Sequence, residues 1–119
     1  AGAANALAST LAFRNDGVTL PAMSALEIIG STDHVGSLLT VLSNDERSDE
    51  ARMAAADAIG AIASRSGAIA GLAADLAAVV ESDSELGVRV AAARALGRTT
   101  MDAAERAALL QRVRIHVSE

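Results

Sequence analysis

The sequence predicts an all-α fold in which short helices stack in successive layers. Three observations carry this expectation. Alanine supplies 29 of the 119 residues and proline occurs once, at Pro21, so the composition favours helix and is poor in helix breakers. Apolar residues recur at three- and four-residue spacings, the period of one helix face. A ten-residue phrase returns three times: PAMSALEIIG at 21–30, ARMAAADAIG at 51–60 and VRVAAARALG at 88–97.

In register, Gly30, Gly60 and Gly97 align, and so do five further positions. These are Pro21, Ser24, Ala25, Ile28 and Ile29; then Ala51, Ala54, Ala55, Ala58 and Ile59; then Val88, Ala91, Ala92, Ala95 and Leu96. Only Ser24 breaks the apolar rule. A second partly apolar row runs through Met23 and Leu26, Met53 and Ala56, Val90 and Ala93. A helix apolar on two faces sits between neighbours, as a layer in a stack. The aligned glycines read as helix breaks and close packing points.

The elements follow in chain order. The stretch AANALASTLAF, before Asn15, reads as a helix with Leu7, Leu11 and Phe13 and no charge before Arg14. It counts as half a repeat, residues 1–15. Its apolar surface is expected either to have lost preceding repeats or to pair with a second copy. Because the chain starts at Ala1 rather than Met, it is expected to be a segment of a longer protein. Repeat 16–47 continues from its first helix into a second, which Ser31, Thr32 or Asp33 can cap and which carries Val35, Leu38, Leu39 and Leu42. Repeat 48–83 follows the polar loop SNDERSD, and its second helix, after Gly67, carries Ile69, Leu72, Ala73, Leu76 and Val80. Repeat 84–119 follows ESDS, and Thr99 or Thr100 can open its second helix with Ala103, Leu109, Leu110 and Val113. The total is about seven helices in antiparallel pairs. The step from Gly30 to Gly60 is 30 residues and that from Gly60 to Gly97 is 37. Seven extra residues are almost two helical turns, so AIASRSG at 61–67 can lengthen the middle pair without rotating its apolar stripe.

Charge and composition narrow the function classes. The net charge is −5: residues 1–49 carry −4, residues 50–83 carry −3 and residues 84–119 carry +2. An acidic body with a basic end argues against a general nucleic-acid binder. The longest apolar run, AIAGLAADLAAVV, is too short for a bilayer and contains Asp75, so no membrane role is expected. There is no cysteine, which excludes thiol chemistry and leaves the compartment open, with the cytoplasm slightly favoured. All ten basic residues are arginine.

An enzyme needs a nucleophile, an acid–base pair or a metal site. His34 and His116 lie at opposite ends of the chain, and neither has a second ligand at i+3 or i+4. His34 is expected on the first turn of a solvated helix and His116 in a frayed tail. The carboxylates cluster in turns, where they cap helices. No cofactor and no metal site are therefore expected. The arginines Arg94, Arg98, Arg106, Arg112 and Arg114 read first as the polar cap of the last repeat, and second as a site for an acidic protein or a phosphate.

A helix pair recurring about every thirty residues means a solenoid. Residues 84–97 and 48–60, each an acidic turn followed by an arginine and a run of alanines ending in glycine, resemble HEAT repeats, and more narrowly the short bacterial HEAT-like repeats also found in phycobilisome lyases. Ala51 replaces the family's valine, and in residues 18–30 Ala22 replaces its arginine. The resemblance covers roughly residues 16–119. It implies a right-handed α-α superhelix, with the first helix of each pair outside and the second lining a concave surface. It also implies that Arg52 and Arg89, with Asp49 and Asp83, form a ladder along the stack; the local alternative is an i,i+4 pair between Glu85 and Arg89. The bilin-lyase and base-glycosylase branches of such repeats imply aromatic-lined or basic grooves, and Phe13 is the only aromatic residue here.

The expectation is a non-enzymatic scaffold that binds another protein through polar residues of the second helices: His34, Ser37, Thr40, Asp75, Glu105, Arg106 and Arg112. The alternatives are an enzyme accessory or lyase-type subunit holding a substrate or cofactor, and a passive spacer between domains.

Overall fold

The computed structural model describes residues 2–13, 15–100, 104, 106–108 and 111. Among these residues every regular element is helical and there is no strand. The first helix, α1, spans Gly2–Thr10. Helix α2 spans Asp16–Ile29 and starts five residues ahead of the repeated phrase, because the Asn15 side chain accepts the Gly17 N–H at 2.9 Å and caps it there. Pro21 therefore lies inside α2, on its exposed side. A single 3-10 turn, Thr32–His34, leads into α3, Val35–Ser43.

Helix α4, Asp49–Ser66, opens on a capping serine whose Oγ accepts the Ala51 N–H at 3.1 Å, with Asp49 and Glu50 in the first turn, where the dipole favours acids. It runs unbroken through Gly60, and the additional segment 61–66 extends it by further turns. Helix α5, Leu72–Ser82, begins after Gly71, which takes the left-handed conformation at φ 78°. Ile69, expected inside this helix, precedes it and is half-buried in the turn. Helix α6 spans Leu86–Gly97. The expected helix over Ala103, Leu109, Leu110 and Val113 lies largely outside the described residues.

Helices α2, α4 and α6 pack side by side as a row, and α1, α3 and α5 pack on α2, α4 and α6 respectively. The Cα envelope measures 40 × 28 × 16 Å. Two helix layers about 10 Å apart, each with a Cα radius of about 2.3 Å, give a thickness of about 15 Å, close to the short dimension.

The row is held by small residues at close approach. Ala51, Ala55, Ala56, Ala58 and Ile59 of α4 are buried, as are Val88, Ala91, Ala92 and Ala95 of α6. A Cβ on Gly60 would sit 3.2 Å from the Ala95 Cα, so this glycine is where α4 and α6 approach rather than a break. Gly30 ends α2, and a Cβ there would meet the Leu26 carbonyl oxygen at 2.5 Å and the Ile62 Cδ1 at 2.9 Å. Gly97 ends α6 with nothing within 4 Å of the same position.

Arginines tie the helices to one another. Each of four guanidinium groups holds carbonyls at the C-terminal end of a helix, where backbone acceptors lack intrahelical donors and the dipole is negative. Arg47 donates to the Leu11 and Phe13 carbonyls just past α1, at 2.8 and 3.0 Å. Arg52 donates through Nε to the Leu42 carbonyl of α3 at 2.9 Å, and Arg89 does the same to the Val80 carbonyl of α5 at 3.0 Å. Arg65, in the additional segment of α4, reaches the Glu27 carbonyl at 2.6 Å and the Gly30 carbonyl at 2.7 Å, clasping the end of α2. A planar guanidinium with five donors suits such multiple capping better than an ammonium.

Candidate functional site

The surface formed by α1, α3 and α5 carries two grooves. The larger, about 500 Å³, runs between α3 and α5 and is lined by Leu39, Thr40 and Ser43 on one wall and Asp75, Ala78, Val79 and Ser82 on the other, with Asp83 at its end. The smaller, about 350 Å³, lies between α1 and α3, and Ser9, Ser37, Thr40, Asn44 and Arg47 are among its lining residues. Thr40 stands on the ridge between them and borders both.

This placement follows from helix period. Thr40 and Ser43 are three apart, and Asp75, Ala78, Val79 and Ser82 recur at three- and four-residue spacings, so each set shares one face. The buried faces carry Leu38, Val41 and Leu42 in α3 and Leu76, Ala77 and Val80 in α5. The hydroxyls of Thr40 and Ser82 donate to the Gly36 and Ala78 carbonyls of their own helices, at 3.0 and 2.6 Å. Their oxygens keep acceptor capacity toward the groove.

Asp83 is the most constrained acid at this surface. Burial disfavours its charged form and would raise its pKa. The Glu85 N–H, donated to Oδ1 at 3.0 Å, and the Arg52 guanidinium outweigh that, with help from the charge of Arg89. The carboxyl is held below its ordinary value of 3.8. The Arg52 pair is charge-assisted and two-pronged, with NH1 and NH2 donating to separate Asp83 oxygens. It ties α4 to the turn before α6. The Asp16 carboxylate accepts the Ser48 hydroxyl at 2.6 Å, a comparable link from the start of α2 to the turn before α4. Asp49 is exposed in the first turn of α4.

The residues singled out by sequence fall into three groups. Ser37, Thr40 and Asp75 are exposed and line the grooves. His34 is not solvated: it is 5% exposed. Its Nδ1 accepts the Ser31 N–H at 2.9 Å, which places the ring proton on Nε2, 2.9 Å from the Asn5 Oδ1 it bonds. Nothing in the sequence spacing signals this bond, because Asn5 lies 29 residues away on α1. Arg106 is exposed, while Glu105, Arg112, Arg114 and His116 lie outside the described residues. Arg94 on α6 and Arg98 just after it are exposed. The groove residues Ser43, Ala78, Val79 and Ser82 were not singled out, although their helical spacing from Thr40 and Asp75 marks them, and Leu39 was read only as an apolar position of its helix.

Among the described residues, no group of three or more His, Cys, Asp or Glu side chains converges to hold a metal ion. Among the same residues, no helix is long and apolar enough to cross a membrane. Compared with known families and with curated proteins, the chain matches no family model and no curated sequence.

Proposed function

We propose that this chain is a HEAT-like repeat segment that acts as a non-enzymatic scaffold, binding another protein along the α1–α3–α5 surface. The observation that carries the reading is the α3–α5 groove, with Thr40 and Asp75 facing each other across it from helices in successive repeats. Its floor is apolar through Leu39 and Val79 and its rims are hydroxyls and one exposed carboxylate. Such a groove suits a partner segment that inserts an apolar side chain and brings a basic one to Asp75. The grooves run between helices held at their ends by arginines, so the surface is preorganised and ordering it on binding costs little.

The test is a comparison of the immobilised wild-type chain with Thr40→Arg combined with Asp75→Arg, using lysate of the source organism and mass spectrometry. Both side chains are exposed, so the variant is expected to keep its circular dichroism and melting temperature. A protein retained by the wild type and lost by the variant supports the assignment. Equal retention by both chains refutes the placement of the site in this groove.

A further inference from the structure

Among the described residues, the row α2–α4–α6 contains two kinds of helix face, and each is left bare once. The first kind, facing forward along the row, is Met23, Leu26 and Gly30 in α2, Met53, Ala56 and Gly60 in α4, and Val90, Ala93 and Gly97 in α6. The register is set by contacts, with Gly30 against Ile62 of α4 and Gly60 against Ala95 of α6. In α2 this face is buried, and in α4 Ala56 and Gly60 are buried and Met53 half-buried, whereas in α6 Val90 is 46% exposed and Ala93 and Gly97 are exposed. The second kind, facing backward, is Ala51, Ala55 and Ala58 in α4 and Val88, Ala92 and Ala95 in α6, all buried. Its counterpart in α2 is Pro21, Ala25 and Ile28, where Ile28 is 76% exposed.

From this we infer that the chain assembles head to tail with further copies of itself, the forward face of α6 in one copy covering the backward face of α2 in the next. Three features select that occupant. The interface continues one that the chain already builds twice, α2 to α4 and α4 to α6, in the same register. The volumes alternate: large Met23 and Leu26 oppose the alanine face of α4 within the chain, and the bulky Ile28 would oppose small Ala93 and Gly97 across the junction. The charges complement, since residues 1–49 carry −4 and residues 84–119 carry +2. Exposed Glu27 and Arg94 hold equivalent register positions, so the junction sets them on neighbouring helices.

Helix α1, the sequence's candidate for self-association, packs on α2, and the bare Ile28 belongs to α2. A junction between unlike faces is heterologous, and repeats of it give open chains or rings rather than closed two-fold dimers.

The experiment is sedimentation velocity of the whole chain over a wide concentration range, with Ile28→Glu and Val90→Glu alone and mixed. Both residues are exposed, and circular dichroism checks that each variant stays folded. The wild type is expected to grow past twice its 12.0 kDa mass as concentration rises. Each single variant is expected to weaken association at least tenfold. The equimolar mixture is expected to recover one junction and stop at a dimer, because Ile28→Glu keeps an intact α6 face and Val90→Glu an intact α2 face. A wild type that stays monomeric at every concentration overturns the inference. So does a Val90→Glu chain that dimerises as well as the wild type, because the α2 faces would then pair with each other.

Discussion

The three aligned glycines hold one position in the repeat, and alanine at each is expected to give a different result. At Gly97 the new Cβ meets nothing within 4 Å, and the residue ends α6 without a positive φ. The substitution restricts the unfolded chain and favours helix, so it stabilises by about 0.5–1 kcal/mol. At Gly60 the same gain of about 1 kcal/mol is opposed by a contact at 3.2 Å with the Ala95 Cα, short of an ordinary carbon–carbon separation of about 3.5–4.0 Å. The neighbour is helix backbone, so α6 must move, and overpacking of this kind costs about 1–3 kcal/mol. The net is a loss of about 0–2 kcal/mol. At Gly30 the Cβ falls 2.5 Å from the Leu26 carbonyl oxygen, which also accepts the Gly30 N–H at 2.8 Å and an Arg65 N–H at 3.3 Å. Moving that carbonyl weakens both bonds, and the loss is about 2–4 kcal/mol. The span from Gly97→Ala to Gly30→Ala is about 2.5–5 kcal/mol, or roughly 10–20 °C in melting temperature for a domain of this size. Thermal melts at a dilution where the chain is monomeric measure it. Equal shifts at all three positions, or a greater loss at Gly97 than at Gly30, refute the packing argument.

Asp83→Asn is expected to cost about 1–3 kcal/mol at neutral pH, because it leaves the buried Arg52 guanidinium without its counter-charge. The folded carboxyl titrates below its ordinary value, so its stabilisation is complete above that value and is lost as pH falls through the folded one. Urea melts of wild type and variant should therefore begin to approach one another only below about pH 4, and converge once the pH is below the folded value. Arg65→Lys is expected to cost about 1 kcal/mol, since a single ammonium cannot match the fork that spans the Glu27 and Gly30 carbonyls; hydrogen exchange at the C-terminal turn of α2 should speed up. Ala55→Leu and Ala92→Leu, both fully buried, should each cost about 1–3 kcal/mol in a chemical melt, and silence at both would place these alanines on the surface.

The helical content and the forward and backward faces of α4 and α6 were legible because each repeats a spacing that only a helix turns into a face. Arg52 and Arg89 were legible as equivalent positions, although their Nε bonds to Leu42 and Val80 were not, since a carbonyl acceptor leaves no trace in side-chain pattern. Arg47 and Arg65 were missed for the same reason. His34 was misplaced because a lone polar residue near a helix start resembles a solvated one. Its burial depends on Asn5 arriving from α1, a tertiary event. Thr40 and Asp75 were recognised as exposed positions on α3 and α5, but their meeting across one groove depends on how those helices sit on α4 and α6.

The division of labour between alanine and arginine explains why so small a core can present a defined surface. Alanine faces let helices approach closely but supply few distinctive contacts, and a uniform small-residue interface could slide by a turn at little cost. The arginines remove that freedom. Each bonds carbonyls that exist only at a helix end, so a one-turn slip would carry the guanidinium about 5.4 Å from its acceptors. Arg65 sets α4 against α2, Arg52 sets α4 against both α3 and the turn before α6, and Arg89 sets α6 against α5. Exposed Arg94 lies on the helix whose forward face is bare, and Arg98, just past its end, has its Cδ 3.4 Å from where a Gly60 Cβ would sit. Register is thus fixed by charge at the helix ends and closeness by the alanines between them, and any partner that joins the row at α6 meets both devices at once.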